Sequence, residues 1–322
     1  MKVVFFEVFE EEERWIRRFL SESIPAQFYR ESIQEAGRET APCDIISIRT
    51  QSRIPKEWLK EVRAIISRST GYDHLYALKD AAEKTGMDFA YLPRYCARAV
   101  AEHAVTVMLA LWRKIPLQMR HMTTFCRQGL TGEQWRDKNV VVVGVGNIGR
   151  EAVNIARGMG MNVKGVDPVQ RCHDLCYVSL DQGLKWADAV ICACPLTAET
   201  RGMFNGERLR KMQRRPVFIN VARGEIAVLD DVRLALEKGW ISGAGLDVYE
   251  NEDVLAAELR RRHNSAAART LFDLMQDHNV ILTPHNAFNT AQAVVEKSRQ
   301  TGEIINFYEE NNCFPDENKV FF

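Results

Sequence analysis

The stretch Asn139–Arg150, with the sequence NVVVVGVGNIGR, decides the fold of this chain. Its four consecutive valines are typical of a β-strand that is buried on both faces. Gly144, Gly146 and Gly149 follow with the spacing G-x-G-x-x-G, and the residues after them have the pattern of a helix. A glycine-rich turn between a strand and a helix indicates a dinucleotide-binding βαβ unit.

The three glycines and a later aspartate each have a physical role in such a unit. The glycines allow a tight turn, a close approach of backbone to a pyrophosphate, and close packing of the helix on the strand. The phosphates then lie at the helix N-terminus, which favours negative charge. The next apolar run, NVKGVD, ends at Asp167, near the position expected for a ribose-binding carboxylate. Asp167 could instead be a turn residue before Pro168, but both parts of the fingerprint occur in order. We therefore expect NAD rather than NADP, because a carboxylate repels a 2′-phosphate.

Outward from this unit, short β-rich runs alternate with helical patterns along the chain. The runs include KVVFF, DIISIR, AIISRST and DFAYL before it, and DAVICAC, PVFINVA, SGAGLDVY and VILTP after it. This alternation predicts an α/β fold with parallel sheets that are covered by helices on both faces. About ten strands are many for one sheet, and 322 residues exceed one typical domain.

We therefore expect two domains. Residues 99–287 are predicted to form a doubly wound, Rossmann-type NAD domain that begins with a buried helix. Residues 1–98 and 288–322 are predicted to form a second, smaller, flavodoxin-like α/β substrate domain, because the helical pattern after the last strand can return to the first half of the chain. The apolar helical run AVTVMLALW is too short for a membrane span, which needs roughly 18 residues.

The composition argues against binding to polyanions. Lys plus Arg and Asp plus Glu number 43 each, so no net field attracts nucleic acid or an anionic membrane. The runs Glu10–Glu13 and Arg260–Arg262 are expected to be solvated helix faces. The eight cysteines are scattered without a zinc pattern, so we expect no metal. The N-terminal apolar run is broken by Glu7 and makes a poor signal peptide, which favours reduced thiols in the cytoplasm.

Three later strands are each followed by charged residues. FINVARGE contains Arg223, GAGLDVYENE contains Asp247, Glu250 and Glu252, and VILTPH contains His285. Ligands of an open parallel sheet bind beyond the carboxyl ends of its strands, so these side chains are predicted to meet near the cofactor. Each also has an ordinary interpretation: a surface arginine, an acidic cluster and a histidine that caps a strand.

Together these motifs resemble the NAD-dependent D-2-hydroxyacid dehydrogenases, and in particular their D-lactate dehydrogenase-like branch. The resemblance covers almost the whole chain, and several linked motifs in the family's order are more specific than any one of them. The motifs are RSTGYDHL (68–75), LPRYCARAVAEHAVTVMLAL (92–111), GVGNIGR (144–150), PLTAETRGMF (195–204), INVARGE (219–225), GLDVYENE (245–252) and LTPHNAF (282–288).

The resemblance implies reversible hydride transfer between NAD(H) and a small 2-keto or D-2-hydroxy acid such as pyruvate or D-lactate. It implies catalytic roles for Arg223, Glu252 and His285, with Glu252 rather than Glu250 as the partner of the histidine. Beside the three glycines and Asp167, the residues implied to hold the cofactor are Asn147, Ile148, Cys194, Pro195, Thr200, Val221, Ala222 and Asp247. The residues implied to meet the substrate, beside Arg223, are Thr70, Gly71, Tyr95 and Phe288.

The residue types suit this chemistry. The planar guanidinium of Arg223 can bind a carboxylate and polarise the neighbouring carbonyl. Protonated His285 can donate its proton to the oxygen on which negative charge develops, and neutral His285 can remove it in the reverse direction. A carboxylate at Glu252 can orient the imidazole and stabilise its charged form.

Several alternatives stay open at this stage. Cys194 and Phe288 differ from the residues that are common in the family, so the substrate could be glyoxylate, hydroxypyruvate or a bulkier 2-keto acid. Arginines near the substrate loops leave a phosphorylated substrate open. The chain could also be a non-catalytic, NAD-sensing scaffold of the corepressor type, which can retain the same residues. The resemblance implies a homodimer formed through the NAD domain, and it assigns no role to residues 253–279.

Overall fold

The computed structural model describes residues 1–261 and 265–320. The chain forms two compact units: unit 1 is Met1–Cys96 together with the segment that starts at Asn289, and unit 2 is Ala97–Phe288. Each unit is built on its own parallel sheet. The predicted fold class, an α/β protein with a doubly wound parallel sheet and a second, smaller domain, is confirmed.

Unit 1 contains a five-stranded parallel sheet with the strand order β2-β1-β3-β4-β5. Its central strands are buried on both faces, because their isoleucines, valines and phenylalanines enter separate apolar clusters above and below the sheet. Short 3-10 turns occupy Lys56–Lys60 and Asp73–Leu78. The regular elements are β1 (Val3–Phe5), α1 (Glu10–Phe19), β2 (Ala26–Phe28), β3 (Ile45–Ile48), β4 (Ala64–Ser67), α2 (Lys79–Thr85) and β5 (Asp88–Tyr91).

Unit 2 begins with the helices α3 (Ala97–Trp112) and α4 (Ile115–His121). It contains a seven-stranded parallel sheet with the order β12-β11-β10-β9-β6-β7-β8. The elements that follow α4 are β6 (Asn139–Val143), α5 (Asn147–Gly158), β7 (Asn162–Val166), β8 (Cys176–Tyr177), α6 (Leu180–Trp186), β9 (Ala189–Cys192), α7 (Gly206–Leu209), β10 (Val217–Asn220), α8 (Leu229–Glu237), β11 (Gly243–Leu246), α9 (Glu252–Arg260), α10 (Ala266–Gln276) and β12 (Val280–Leu282).

The strand order of unit 2 reverses between β6 and β9. After β6 the chain builds β7 and β8 on one side, and then returns to build β9 to β12 on the other. Val143 and Cys192 are register partners, so the carboxyl ends of β6 and β9 lie side by side. Such a switch point is where doubly wound sheets bind their ligands, and the glycine-rich turn directly follows β6.

A last helix, α11 (Ala291–Asn311), belongs to unit 1 and packs on α1. Its buried positions repeat at helical spacing and include Ile304, Ile305 and Tyr308, which join the apolar cluster on one face of the five-stranded sheet. A 3-10 turn at Asp316–Asn318 follows it. Among the described residues, no helix combines the length and the apolar character needed to cross a membrane.

The prediction that Glu10–Glu13 is a solvated face is wrong at Glu12. The side chain of Glu12 is fully buried, and its Oε1 accepts a hydrogen bond from Arg68 Nε at 2.8 Å and lies 3.1 Å from Lys297 Nζ. The two buried cations compensate the carboxylate, which makes the burial of a charge tolerable. In the basic run 260–262, Arg260 and Arg261 are exposed, and Arg262 lies outside the described residues.

Candidate active site

The glycine-rich turn of unit 2 leaves room for a phosphate group. Gly144 has φ of +86°, and a Cβ on it would lie 2.5 Å from the backbone of Cys194, so a side chain there would collide with the neighbouring loop. A Cβ on Gly146 would meet no atom of the protein within 4 Å. The helix α5 begins at the next residue, and its first N–H groups have no partner within the helix. This open helix N-terminus fits the pyrophosphate of a dinucleotide.

Asp167 stands directly after β7 and is fixed by backbone hydrogen bonds. Its Oδ2 accepts from the N–H of Val145 at 2.7 Å, and its Oδ1 accepts from the N–H of Val169 at 2.8 Å. The first bond ties the carboxylate to the glycine-rich turn. Each carboxylate oxygen has a further lone pair, so Asp167 can also accept hydrogen bonds from the hydroxyls of a ribose.

The loop after β9 is held in shape by Thr200. Its Oγ1 donates to the carbonyl of Pro195 at 2.7 Å and accepts from the N–H of Thr197 at 2.8 Å. Cys194 lies next to Gly144 and is buried, as are Val221 and Ala222 after β10. The structure therefore brings these predicted cofactor-lining residues to the carboxyl edge of β6, β9 and β10.

His285 and Glu252 are in direct contact. The histidine Nδ1 lies 2.8 and 2.9 Å from the two carboxylate oxygens, and both side chains are about one quarter exposed. A carboxylate can only accept, so Nδ1 carries the hydrogen and donates it to Glu252. Glu252 is the first residue of α9, which brings it to the end of β11 beside the loop that follows β12.

The loop that carries His285 is held in an uncommon backbone conformation by Asp247. His285 has φ of +49°, a conformation that costs about 1–3 kcal/mol and persists where its surroundings fix it. The buried Asp247 accepts hydrogen bonds from Thr283 Oγ1 at 2.5 Å, from the N–H of Asn286 at 2.8 Å and from the N–H of Ala287 at 2.9 Å. These bonds lie on both sides of His285 and hold the loop that carries it.

His103 and Thr283 extend the hydrogen-bond network around Asp247. No motif in the sequence indicated this contact. His103 Nε2 lies 3.2 Å from Thr283 Oγ1, which in turn donates to Asp247. Because His103 stands on the buried helix α3, the sequence predicts a structural role for it, and that role stays a prediction. The available signal was weak, because a threonine before a proline and a histidine on a buried helix are common.

Glu250 and Glu252 have different surroundings, although only Asn251 separates them. The carboxylate of Glu250 accepts from the N–H of Leu229 at 3.1 Å and so caps the first turn of α8. Burial raises the pKa of Glu250. Of the two glutamates, it is Glu252 that contacts the histidine.

Arg223 lies on the neighbouring loop, after β10. Its backbone carbonyl accepts from Asn220 Nδ2 at 2.9 Å, and its Nη1 donates to the carbonyl of Ala222 at 2.8 Å. A Cβ on Gly224 would lie 1.8 Å from the backbone carbon of Tyr249, so only glycine lets this loop pack against the segment that leads to Glu252. The loops of Arg223, Glu252 and His285 thus follow three adjacent strands, β10, β11 and β12.

The remaining predicted substrate residues divide between the two units. Phe288 in unit 2 is buried, and its ring stands edge-on to His285 with the centroids 6.5 Å apart. In unit 1, Thr70 Oγ1 donates to the carbonyl of Leu92 at 3.1 Å. Gly71 follows it beyond β4, and the half-buried Tyr95 lies beyond β5. Both loops stand at the carboxyl edge of the unit 1 sheet.

The sequence of this chain is similar to a family model and to several curated proteins. The family model described as "D-isomer specific 2-hydroxyacid dehydrogenase, NAD binding domain" matches residues 105–287. The chain is 32% identical over 275 residues to a D-lactate dehydrogenase of Escherichia coli strain K12, with 83% of this chain and 82% of that protein covered. It is 31% identical to a glyoxylate reductase of Thermococcus kodakarensis, with 70% and 66% covered.

A solved structure is similar over nearly the full length of both chains. It is the crystal structure of a D-lactate dehydrogenase from Aquifex aeolicus in complex with NAD and lactic acid. The TM-score is 0.88 at 26% sequence identity, and 99% of this chain and 98% of that chain are covered. The similarity therefore includes both units and not only the one with the glycine-rich turn.

Proposed function

Because the chain belongs to the D-isomer specific 2-hydroxyacid dehydrogenase family, we propose that Arg223, Glu252 and His285 carry out that family's chemistry here. The chain is an NAD-dependent oxidoreductase that transfers hydride between NAD(H) and 2-keto or 2-hydroxy acids. The contact between His285 and Glu252 carries the residue-level proposal, because it joins a proton donor to a carboxylate that stabilises its charged form. The relatives named above are all enzymes, which favours this function over a non-catalytic scaffold.

The protein's residues supply position, charge and one proton. When bound, NADH provides the hydride for the carbonyl carbon. Arg223 holds the substrate carboxylate and polarises the carbonyl through its guanidinium. Protonated His285 donates from Nε2 to the carbonyl oxygen, and the new hydroxyl keeps that proton. Glu252 holds the imidazole through Nδ1 in both protonation states. The reverse reaction uses neutral His285 as the base.

We propose further that unit 2 is the NAD domain and unit 1 the substrate domain. In the first, Gly144, Gly146, Asp167 and the loops after β9 and β10 would hold the dinucleotide. In the second, the backbone N–H groups near Thr70 and Gly71 would meet the substrate carboxylate. The open helix N-terminus of α5 and the fixed Asp167 carboxylate support the first assignment. The second rests on the resemblance of RSTGYD to the family's substrate loop.

A homodimer and a cytoplasmic location are the remaining parts of the proposal. Exposed apolar side chains on and after α4 support an interface through unit 2, because large exposed apolar patches commonly mark protein contacts. They are Ile115, Met119, Met122 and Phe125, with exposures between 41% and 70%. The cytoplasmic location rests on the expectation from the sequence alone.

A panel of 2-keto acids with NADH tests the proposed function. Pyruvate, glyoxylate, hydroxypyruvate and larger 2-keto acids are each mixed with enzyme and NADH, and the loss of the nicotinamide absorbance is followed. We expect turnover of at least one small 2-keto acid and formation of its D-2-hydroxy acid. Absence of turnover across the whole panel would refute the proposal.

The cofactor preference depends on Asp167. We expect NADH to exceed NADPH in kcat/KM, and we expect Asp167→Asn to reduce that ratio about 10- to 100-fold, as the loss of one charge-assisted hydrogen bond predicts. The control is Asp181→Asn. Asp181 lies on α6 and forms an exposed pair with Lys211, so this variant removes the same charge outside the glycine-rich turn. A native enzyme that prefers NADPH would contradict the role of Asp167.

A further inference from the structure

We propose that Arg49 forms a second anion-binding position in unit 1, and that the enzyme therefore selects 2-keto acids with a second carboxylate at the far end. The inferred substrate class is the dicarboxylic 2-keto acids of four or five carbons. This inference rests on the proposed function, because it assumes that the loops of Thr70 and Tyr95 meet the substrate.

The position of Arg49 in the sheet is the first observation. Arg49 directly follows β3, and the carbonyl of Ile48 accepts from the N–H of Arg68 at 2.7 Å. Arg68 in turn begins the loop that leads to Thr70. The side chain of Glu7, after β1, accepts from the N–H of Arg49 at 3.0 Å. Arg49 is therefore held at the carboxyl edge of the unit 1 sheet, the edge at which open parallel sheets bind ligands.

Two cations meet the same aromatic ring at this edge. The guanidinium carbon of Arg49 lies 4.7 Å from the centroid of the Phe9 ring, and Lys297 Nζ lies 5.5 Å from the same centroid. Lys297 Nζ is also 5.9 Å from the centroid of Tyr95. Two cations thus lie beside aromatic rings at this edge; Glu12 compensates Lys297, and one of the rings is that of Tyr95, which the resemblance places against the substrate.

The charge of Arg49 also acts on Lys297. Burial has the largest effect on the pKa of Lys297 and lowers it. Glu12 raises this pKa, the guanidinium groups of Arg49 and Arg68 lower it, and the net result is a pKa of about 8. The neighbouring cations therefore repel the ammonium group. An anion near Arg49 would offset this repulsion, and the partly buried setting would strengthen its attraction beyond that at an exposed arginine.

Among the three cations, Arg49 is the one that can contact a substrate. Lys297 is fully buried, so it acts through its charge. Arg68 is also fully buried and donates to Glu12, to Ser47 and to the carbonyl of Phe6, which makes it structural. Arg49 is half-buried, and its planar guanidinium can bind a carboxylate with two parallel hydrogen bonds.

This arrangement also explains which substrates would be rejected. A branched apolar 2-keto acid would place methyl groups against the guanidinium and displace its hydrating water, which costs free energy when no new hydrogen bond forms. A 2-keto acid with a second carboxylate would instead form charge-assisted bonds at the same place. Arg49 would therefore be a specificity-determining residue, whereas His285 and Arg223 would act on the reacting end.

The test uses two substrates of similar shape and different charge. Oxaloacetate and 4-methyl-2-oxopentanoate differ at one end, where a carboxylate replaces an isopropyl group. The kcat/KM of each is measured with NADH, and the product of oxaloacetate is identified as malate to exclude reduction of pyruvate formed by decarboxylation. We expect oxaloacetate to be favoured about 10- to 100-fold, and Arg49→Met to reduce that ratio by a similar factor.

Two further variants and one binding measurement keep the test decisive. Arg53→Met removes the same charge from an exposed arginine of the same loop and should leave the ratio unchanged. Arg49→Lys retains a point charge and should restore part of the ratio. An NADH titration of each variant confirms that unit 2 is folded. The quantity compared is the ratio of kcat/KM for the two substrates within one variant. A general loss of activity lowers both values equally and leaves this ratio unchanged.

The outcomes separate this inference from the proposed function. Turnover of 4-methyl-2-oxopentanoate in preference to oxaloacetate, or a ratio unaffected by Arg49→Met, would overturn the inference and leave the dehydrogenase function intact. A preference for 3-phosphohydroxypyruvate over oxaloacetate would overturn the assignment to a carboxylate. No turnover of any 2-keto acid would refute both proposals together.

Discussion

Replacing His285 by glutamine is expected to lower kcat for 2-keto acid reduction by about 100- to 10,000-fold, the usual contribution of one general acid. The reason is that glutamine can donate a hydrogen bond to the carbonyl oxygen but cannot transfer a proton to it. Steady-state rates followed through NADH absorbance measure kcat. A fluorescence titration should show that NADH still binds, because the glycine-rich turn and Asp167 are unchanged.

The control is His173→Gln, which changes an exposed histidine of the same unit and should leave kcat near the native value. A His285→Gln enzyme with a native rate would exclude His285 as the proton donor. A variant that loses NADH binding as well would indicate a collapsed site instead.

Glu252→Gln tests the other member of the His285–Glu252 pair. The protonated imidazole then loses the carboxylate that contacts its Nδ1. Because reduction needs the protonated form, kcat for 2-keto acid reduction should fall while NADH binding is retained. Glu250→Gln is the matched variant, since Glu250 caps α8; it should lower stability while kcat stays near the native value.

Glu12→Gln is expected to lower the free energy of unfolding of the full chain by about 3–5 kcal/mol at pH 7, the range found when one partner of a buried ion pair is removed. The substitution takes away the carboxylate that lies 2.8 Å from Arg68 and 3.1 Å from Lys297 while all three side chains are fully buried. Urea denaturation followed by tryptophan fluorescence measures the loss, since Trp58 is buried in unit 1.

The neighbouring Glu13 provides the control. Glu13 forms a surface pair with Arg17 on the same helix, and Glu13→Gln should cost less than about 1 kcal/mol. Adding Lys297→Met to Glu12→Gln removes one of the two buried cations and should recover part of the loss. Equal destabilisation by the Glu12 and Glu13 variants would contradict the importance of the buried cluster.

The effect of Glu12 should depend on pH in a defined direction. Burial alone raises the pKa of Glu12, but Arg68, Lys297 and Arg49 outweigh it and lower the pKa from 4.5 to about 2. The ionised group therefore contributes stability above pH 4.5, and this contribution is lost as the pH falls from 4.5 towards 2. The difference between the native chain and Glu12→Gln should shrink over the same interval.

The central strands could be predicted from the sequence, whereas two edge strands could not. Runs such as NVVVV and VFIN are apolar throughout because both faces of β6 and β10 are covered. The missed strands are β2, with the sequence AQF, and β8, with the sequence CY. Each lies at the edge of its sheet and is partly exposed, so neither has a continuous apolar run.

The candidate site could also be predicted from the sequence, whereas the buried charge cluster of unit 1 could not. Arg223, Glu252 and His285 follow strands that are recognisable in the sequence, and parallel strands bring their carboxyl ends to one edge. The cluster of Glu12, Arg68 and Lys297 has no such local signal. Glu12 stands in a run of four glutamates that resembles a solvated helix face. Its partners come from the loop after β4 and from α11, near the other end of the chain. Only the packing of α11 on α1 buries it.

Unit 1 is formed by two segments of the chain that are separated by unit 2, and this affects the order in which the chain can fold on the ribosome. The helix α11 packs on α1 and contributes Lys297 to the cluster around Glu12, but all of unit 2 is synthesised between them. At about 5–20 residues per second, this delay is on the order of 10 to 40 s. During that time Glu12 and the apolar face of α1 lack their covering helix, while unit 2 can already close. A nascent chain that has emerged from the ribosome only as far as β12 can therefore complete the sheet of unit 2 while unit 1 still lacks α11.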